Sequence, residues 1–307
     1  MNPDTKATTK LLKIICARHN IPYHSHSRIT TGFNHEVHRL NHDLVVKFFN
    51  SEDSRSFKTE SAVLSSNLPF LKPKLITIGK KNDVINRNYV IMSYVKGVSL
   101  GNRWHLATGK QREEFIKTIC HSLKIINKLD STYIGLKKIS SWEDSIREHI
   151  EILASQLQNK NIIDVSSADR ARKTVQNNAK VLADSKLYPV YWDIHFDNFI
   201  VDENFKLQAF IDLENIELTP LDYPLVFVQK MMNEPEKYLR EEDEKLADKK
   251  DYAKLNELYK KYYPEMFNFA NLKTRIKLYL LLDTLHLLTN WSHIKELHEK
   301  LDMLTVE

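Results

Sequence analysis

The sequence predicts an α+β fold in two parts: a small antiparallel sheet with one main helix over residues 1–96, then a larger, mostly helical part over residues 97–307. Two observations predict this division. Before Gly97, apolar residues form short alternating runs separated by turn residues, which is typical of strands. From about residue 111 they recur at three- and four-residue intervals, which is typical of amphipathic helices. The pattern changes around Gly97, so we expect a hinge or turn there.

The first part is predicted to contain strands between helical segments. Residues 7–20 have the pattern of a short amphipathic helix, and residues 28–50 that of three strands joined by turns. Residues 55–68 predict the main helix. Residues 74–97 predict a hairpin that ends in an apolar strand. These segments together make a small sheet that packs against helix.

Three segments of the second part have helical periodicity, residues 111–130, 141–157 and 167–185. Ser141 is expected to cap the second helix, because a serine side chain at that position accepts a hydrogen bond from the backbone N–H three residues later. The stretch 190–215 interrupts the helical pattern. It predicts two strands joined by a tight turn, and the rest of the chain returns to helix.

The composition excludes several classes of protein. Hydrophobic residues make up 42% and charged residues 28%, as in ordinary globular proteins. The net charge is +5, but the charges of both signs are interspersed, so we expect no nucleic-acid partner. Cys16 and Cys120 lie far apart and form neither a zinc pair nor a disulfide framework. No apolar run reaches the length of a membrane span. We therefore expect a cytoplasmic protein with reduced thiols.

The stretch "VYWDIHFDNFIVDENFKLQAFIDLEN" (190–215) places acidic residues among bulky apolar neighbours. Burying a carboxylate is costly unless it is paired or bound to a metal. If Ile200 pairs with Phe210 in an antiparallel hairpin, Asn198 and Asp212 lie side by side. Their oxygens suit Mg²⁺, with phosphates and water completing the coordination shell. Asp193 precedes the hairpin by one short loop and is expected to face the same space.

An Asp-x-x-x-x-Asn sequence, followed by an Asp after a hairpin, is the arrangement of kinase catalytic and metal loops. In "YWDIHFDN" and "FIDLEN" the chain resembles the aminoglycoside phosphotransferase and choline kinase family, small-molecule kinases with a protein-kinase-like two-lobed fold. The resemblance implies a catalytic role for Asp193 and Mg²⁺ binding by Asn198 and Asp212. It implies a structural role for His195. Tyr191 and Trp192 depart from the family's His-Gly.

The resemblance extends over nearly the whole chain. It implies that residues 1–96 form the nucleotide-binding lobe, and that residues 97–307 carry the catalytic loop, the metal site and the acceptor pocket. "TTGFNHEVHRL" resembles the family's short nucleotide-covering loop, "LVVKFF" its phosphate-contacting strand, and "YVIMSYVKGVSL" its hinge strand. The implied nucleotide-binding residues are Gly32, Lys47, its ion-pair partner Glu60, and the hinge residues Ser93, Tyr94 and Val95.

The resemblance implies Mg²⁺-dependent transfer of the γ-phosphate of ATP or GTP to a hydroxyl of a small molecule. Local acidity after Asp212, with Glu214 and Glu217 beside Trp192, predicts a cationic acceptor such as an aminoglycoside or amino-alcohol. One alternative is a kinase-fold protein without turnover that binds nucleotide or has a regulatory role. A remote alternative is a metal-dependent hydrolase, since Asp193, His195 and Asp197 alternate along the chain.

Overall fold

The computed structural model of the chain describes residues 3–30, 35–50, 54–83, 85–239 and 244–306. Its first part is a five-stranded antiparallel sheet in the order β1-β2-β3-β5-β4. Two helices accompany this sheet. The elements are α1 (Pro3–Arg18), β1 (His26–Ile29), β2 (Glu36–Leu40), β3 (Leu44–Phe48), α2 (Ser54–Ser65), β4 (Leu75–Gly79) and β5 (Tyr89–Ser93).

The two faces of the sheet are covered by different elements, because successive side chains of a strand point to opposite sides. On β3, Val46 and Phe48 join the core that contains Leu12 and Ile15 of α1. Val45 belongs instead to the core that extends from α2 into the second part. The same alternation turns Lys47 to the Val45 side, toward α2 and the second part of the chain.

The second part is mostly helical and has two small antiparallel sheets, β6-β8-β9 and β7-β10. Short 3₁₀ helices link several of its elements. The elements are β6 (Val98–Ser99), α3 (Leu100–Trp104), α4 (Gly109–Ile126), α5 (Trp142–Asn159), α6 (Val165–Asn178), β7 (Tyr188–Tyr191), β8 (Phe199–Val201), β9 (Leu207–Phe210), β10 (Ile216–Thr219), α7 (Leu225–Asn233), α8 (Lys249–Tyr252), α9 (Leu255–Tyr262), α10 (Leu272–Asn290) and α11 (Lys295–Thr305).

The predicted α+β division, a small antiparallel sheet followed by a helical part, is confirmed. The predicted helix cap at Ser141 is also confirmed, since its side chain accepts a hydrogen bond from the N–H of Asp144 at 3.1 Å. The two parts are joined by direct backbone contact as well as by the chain. The N–H of Phe210 donates to the carbonyl of Leu71 at 2.9 Å, and the rings of Phe70 and Phe210 meet edge to face.

The hairpin of β8 and β9 forms where it was predicted, but the predicted register is wrong by one residue. Ile200 pairs with Ala209, and Phe210 pairs with Phe199. The register shifts again next to Ile200, because Val201 pairs with Leu207 and Gln208 is an extra residue of β9 at that step. At the open end the N–H of Ile211 donates to the carbonyl of Asn198 at 2.9 Å, which keeps Asn198 and the end of β9 adjacent.

None of the helices in the described part of the chain combines the length and the apolar character needed to cross a membrane.

Candidate active site

Lys47 on β3 meets carboxylates from two distant segments of the chain. Its Nζ lies 2.7 Å from Oε2 of Glu60 on α2, 2.5 Å from Oδ1 of Asp212 and 2.9 Å from Oε2 of Glu214. Nζ donates hydrogen bonds to Glu60 and Asp212, and Glu214 lies within ion-pair distance. Three carboxylates therefore surround this lysine, one from the helix beside the sheet and two from the turn after β9.

The backbone at Asp212 brings the two carboxylates of the turn to the same side. Asp212 has φ of 57°, in the left-handed region that Asp tolerates better than most residues. The chain therefore turns immediately after β9, and both Asp212 and Glu214 reach Lys47. This reversal is a local backbone feature, so the strand pattern of the sequence gave no signal for it.

The charged groups around Lys47 shift one another's pKa values by attraction and by repulsion. Burial alone would lower the pKa of Lys47, but the three carboxylates raise it well above its usual value. Burial raises the pKa of Glu60 to about 7, because the attraction of Lys47 is offset by repulsion from Asp212 and Glu214. Burial also opposes ionisation of Asp212, yet Lys47 holds the pKa of Asp212 below its usual value. The lysine is therefore charged throughout the neutral pH range.

Asp193 is buried and its carboxylate is held by two amides. The Nδ2 groups of Asn198 and Asn215 donate to its Oδ2 at 3.1 and 2.9 Å. Its other oxygen lies 3.4 Å from Nε2 of His195. Burial would lower the pKa of His195, but the Asp193 carboxylate raises it. Asn215 was not identified from the sequence as a contact of Asp193. Its position three residues after Asp212 was the only sequence signal that pointed to the site.

The oxygens near Asp212 fit a hard divalent cation. The amide nitrogen of Asn198 donates to the backbone carbonyl and the carboxylate of Asp193, so its Oδ1 is the atom that would bind a metal. Carboxylate oxygens of Glu60, Asp212 and Glu214 lie within 4.8 Å of one another. Carboxylate and amide oxygens are the ligands that Mg²⁺ takes in proteins.

The alternating triad expected for a hydrolase does not assemble a metal site within the described residues. Asp193 and His195 lie in an irregular loop, and Asp197 belongs to the 3₁₀ helix Phe196–Asn198. They are therefore not on one face of a strand. The metal-ligating group found in this part of the chain is the one around Lys47.

The predicted hinge follows the end of β5. The N–H of Ser93 donates to the carbonyl of Lys74, and the N–H of Tyr94 donates to the carbonyl of Asp43 at 2.6 Å. Both N–H groups are used by the sheet, so Val95 is the first of the three predicted residues beyond this pairing. Gly32, predicted to approach the phosphates, lies outside the described residues.

The predicted acceptor wall is placed differently from the expectation. Glu214 faces Lys47 because of the turn at Asp212, and Glu217 on β10 pairs with Arg55 of α2. Neither contact involves Trp192. The Trp192 ring packs instead against Tyr223 and Phe227, with centroids 6.2 and 5.7 Å away.

A second set of groups completes the surroundings of Asp193. The rings of Phe227 and Tyr238 lie 6.2 and 6.4 Å from the ring of His195. Nζ of Lys230 lies 4.8 Å from the Phe227 ring and 2.8 Å from Oδ1 of Asp283. Aromatic faces from α7 and from the 3₁₀ helix Pro235–Tyr238, and a partly buried ion pair between α7 and α10, therefore lie near the loop that carries Asp193.

A buried ion pair anchors the segment that follows β10. Asp222 is fully buried and Arg275 of α10 is 2% exposed. Nε and Nη2 of Arg275 donate to the two carboxylate oxygens of Asp222 at 2.6 and 3.1 Å. The same guanidinium donates to the carbonyl of Val181 and to the hydroxyls of Ser185 and Tyr279.

Comparison with known proteins gives a consistent result. A family model described as "Phosphotransferase enzyme family" matches residues 26–258, which is more than half of the chain. A search of curated proteins found no match.

Solved structures superpose on nearly the whole chain. The GDP complex of aminoglycoside 2'-phosphotransferase-IIIa has a TM-score of 0.69 at 16% identity, over 97% of this chain and 98% of that one. The gentamicin complex of APH(2")-IIa has 0.69 at 15%, over 99% and 96%. A thermostable mutant of aminoglycoside phosphotransferase APH(4)-Ia, with ADP and hygromycin B, has 0.64 at 15%, over 95% and 97%. At these identities, the likeness establishes a shared fold.

Proposed function

Because the chain belongs to the phosphotransferase enzyme family, we propose that it transfers the γ-phosphate of ATP or GTP to a hydroxyl group of a small molecule. The observation that carries the proposal is the contact of Lys47 with Glu60 and Asp212. It joins a sheet lysine, a helix carboxylate and a carboxylate 165 positions from the lysine. We assign nucleotide binding to residues 1–96, and the catalytic loop, metal site and acceptor pocket to residues 97–307.

In this proposal Lys47 contacts the nucleotide phosphates and Glu60 fixes the lysine. Asp212 and Asn198 would hold Mg²⁺, which would neutralise charge that develops during transfer. Phosphoryl transfer needs mainly positioning and electrostatic stabilisation, so a buried charged lysine is a suitable group. The backbone at the hinge binds the base of the nucleotide. There Val95 follows Ser93 and Tyr94, whose N–H groups are hydrogen-bonded to other backbone carbonyls. Gly32 is assigned to the loop over the phosphates.

Asp193 orients the acceptor hydroxyl and takes its proton late in the reaction. The amides of Asn198 and Asn215 fix its Oδ2, so the carboxylate cannot rotate freely. Asn198 thereby links the proton acceptor to the metal, since its amide nitrogen faces Asp193 and its oxygen is assigned to Mg²⁺. His195 is assigned no proton transfer.

We propose that the acceptor is cationic. The structure replaces part of the sequence-based argument for this charge. Glu214 and Glu217 are engaged by Lys47 and Arg55, so they provide no support for this charge. Support comes instead from the aromatic faces around Trp192, which attract an ammonium group. The carboxylate of Asp193 adds to that attraction. Asp283 is paired with Lys230 and, like Glu214 and Glu217, provides no support.

The proposed function is tested by a phosphate-transfer screen. ATP and GTP are each offered with aminoglycosides, choline, ethanolamine, other amino-alcohols, macrolides and neutral sugars. We expect transfer to at least one hydroxyl compound, with a cationic compound preferred. Tight nucleotide binding without transfer to any compound would contradict a catalytic function, and a neutral best acceptor would contradict the charge assignment.

The catalytic residue is tested by Asp193→Asn. We expect turnover to fall by roughly 10²–10⁴-fold, as for loss of a general base, while nucleotide affinity is kept. Asp197→Asn is the matched control, because Asp197 lies four residues further along the chain and is assigned no role in transfer. Turnover of Asp193→Asn close to that of the control would exclude the assigned role.

A further inference from the structure

His35 also reaches the carboxylate group around Lys47. It immediately precedes β2, and its Nε2 lies 2.8 Å from Oε2 of Glu214. The two side chains are 4% and 3% exposed. An imidazole and a carboxylate are therefore in close contact inside the cleft, although their residues are 179 positions apart in the chain.

The same oxygen of Glu214 also contacts Lys47. Its Oε2 lies 2.9 Å from Nζ of Lys47, so it stands between the lysine and the imidazole. Phe49 packs against both the imidazole and the ammonium group: its ring centroid is 4.9 Å from that of His35 and 5.3 Å from Nζ of Lys47. The aromatic ring limits how far either group can move, and Glu214 joins them.

These contacts join two segments whose relative position matters for the proposed reaction. His35 ends the connection between β1 and β2, the segment that resembles a nucleotide-covering loop. Glu214 lies two residues after Asp212, which is assigned to the metal. A contact across these segments holds the end of the covering segment beside the lysine that is assigned to the phosphates.

We propose that His35 is a positioning residue for the phosphate end of the nucleotide, acting through Glu214 on Lys47. The inference rests on the proposed function and adds a residue to it. A packing role alone is the competing explanation, and His38 provides the comparison. His38 is 4% exposed and its Nε2 lies 2.8 Å from Oε1 of Glu36, but it pairs with Val46, on the face of the sheet away from Lys47.

The test compares His35→Leu, His35→Gln and the control His38→Leu. Leucine fills the space without a polar group, whereas glutamine keeps an N–H donor near the position of Nε2. Calorimetry measures the affinity for the nucleoside diphosphate and for the nucleoside alone, and a melting curve checks folding. We expect His35→Leu to weaken diphosphate binding by about tenfold to a hundredfold, as for loss of one contact to a charged group, and to leave nucleoside binding unchanged. His35→Gln is expected to stay within about threefold of the natural protein.

Glu214→Gln completes a double-mutant cycle. If His35 acts through Glu214, His35→Leu has a much smaller effect in the Glu214→Gln background than alone. Equal losses for diphosphate and nucleoside, an equal effect of His38→Leu, or additive effects in the cycle would each overturn the inference. The binding measurements do not require turnover. Failure of the transfer screen with this binding pattern intact would therefore contradict the proposed function and leave the positioning role standing.

Discussion

Removal of the Asp222 carboxylate is the perturbation whose effect on stability follows most directly from the structure. Asp222 and Arg275 are both buried, and the guanidinium donates to both carboxylate oxygens. Asp222→Asn keeps the size of the side chain and removes its charge. The guanidinium then remains buried without its counter-charge, which is the costly case for a buried pair.

The magnitude depends on the contacts that Arg275 retains. Breaking a buried ion pair by removing one partner costs about 3–5 kcal/mol. Arg275 still donates to the carbonyl of Val181, at 2.7 Å, and to the hydroxyls of Ser185 and Tyr279 at 3.1 Å. These contacts place the loss at the lower end, about 3 kcal/mol. For a chain of 307 residues that is a fall in melting temperature of roughly 5 °C.

The assay is thermal and urea denaturation of Asp222→Asn beside a matched surface variant, Asp302→Asn. Asp302 pairs with Arg170 where both side chains are largely exposed, so its loss is expected to cost less than about 1 kcal/mol. Adding Arg275→Met to Asp222→Asn is expected to restore part of the stability, because the uncompensated charge is then removed. A fall for Asp222→Asn no larger than for Asp302→Asn would refute the reasoning.

Two further predictions concern the metal and the thiols. Asparagine tolerates the backbone conformation of Asp212, so Asp212→Asn is expected to weaken binding of the Mg²⁺-nucleotide by more than about tenfold, without weakening binding of nucleotide in EDTA. Calorimetry showing equal affinities of the natural and variant proteins for the Mg²⁺-nucleotide would contradict the metal assignment. Burial raises the pKa of Cys120 to about 12 and also raises the pKa of Cys16, so neither thiol is expected to react with a water-soluble disulfide reagent at pH 8 until the protein unfolds. Between about pH 9 and 12 the unfolded chain ionises Cys120 while the folded chain does not, so the free energy of unfolding is expected to fall across that window. Rapid native labelling at pH 8 would show that these thiols are accessible.

The elements that the sequence predicted best are those with a strong local signal. The cap at Ser141 is an example, because the N–H that it receives is only three residues away. The hairpin was located correctly, but its register was not. The alternation of apolar residues determines which residues can share a face, whereas the pairing partner of each residue depends on turn length. The apolar pattern does not indicate the register shift beside Ile200.

The contacts that the sequence did not reveal depend on long-range geometry. Glu214 was expected in the acceptor pocket with Trp192, but the left-handed backbone at Asp212 turns it to Lys47. His35 had no local signal at all, because a single histidine in a loop is compatible with many surroundings. In both cases the partner is brought close by folding and not by neighbouring sequence.

The group around Lys47 has a consequence for the form in which the nucleotide enters the cleft. Three carboxylates face one ammonium, so negative charge is in excess before any ligand arrives. A nucleotide without its cation would add more negative charge and be repelled, whereas a divalent cation would bring the cluster close to electroneutrality. We therefore expect the site to bind the metal-loaded nucleotide in preference to the bare one, because the cation balances the negative charge of the carboxylates.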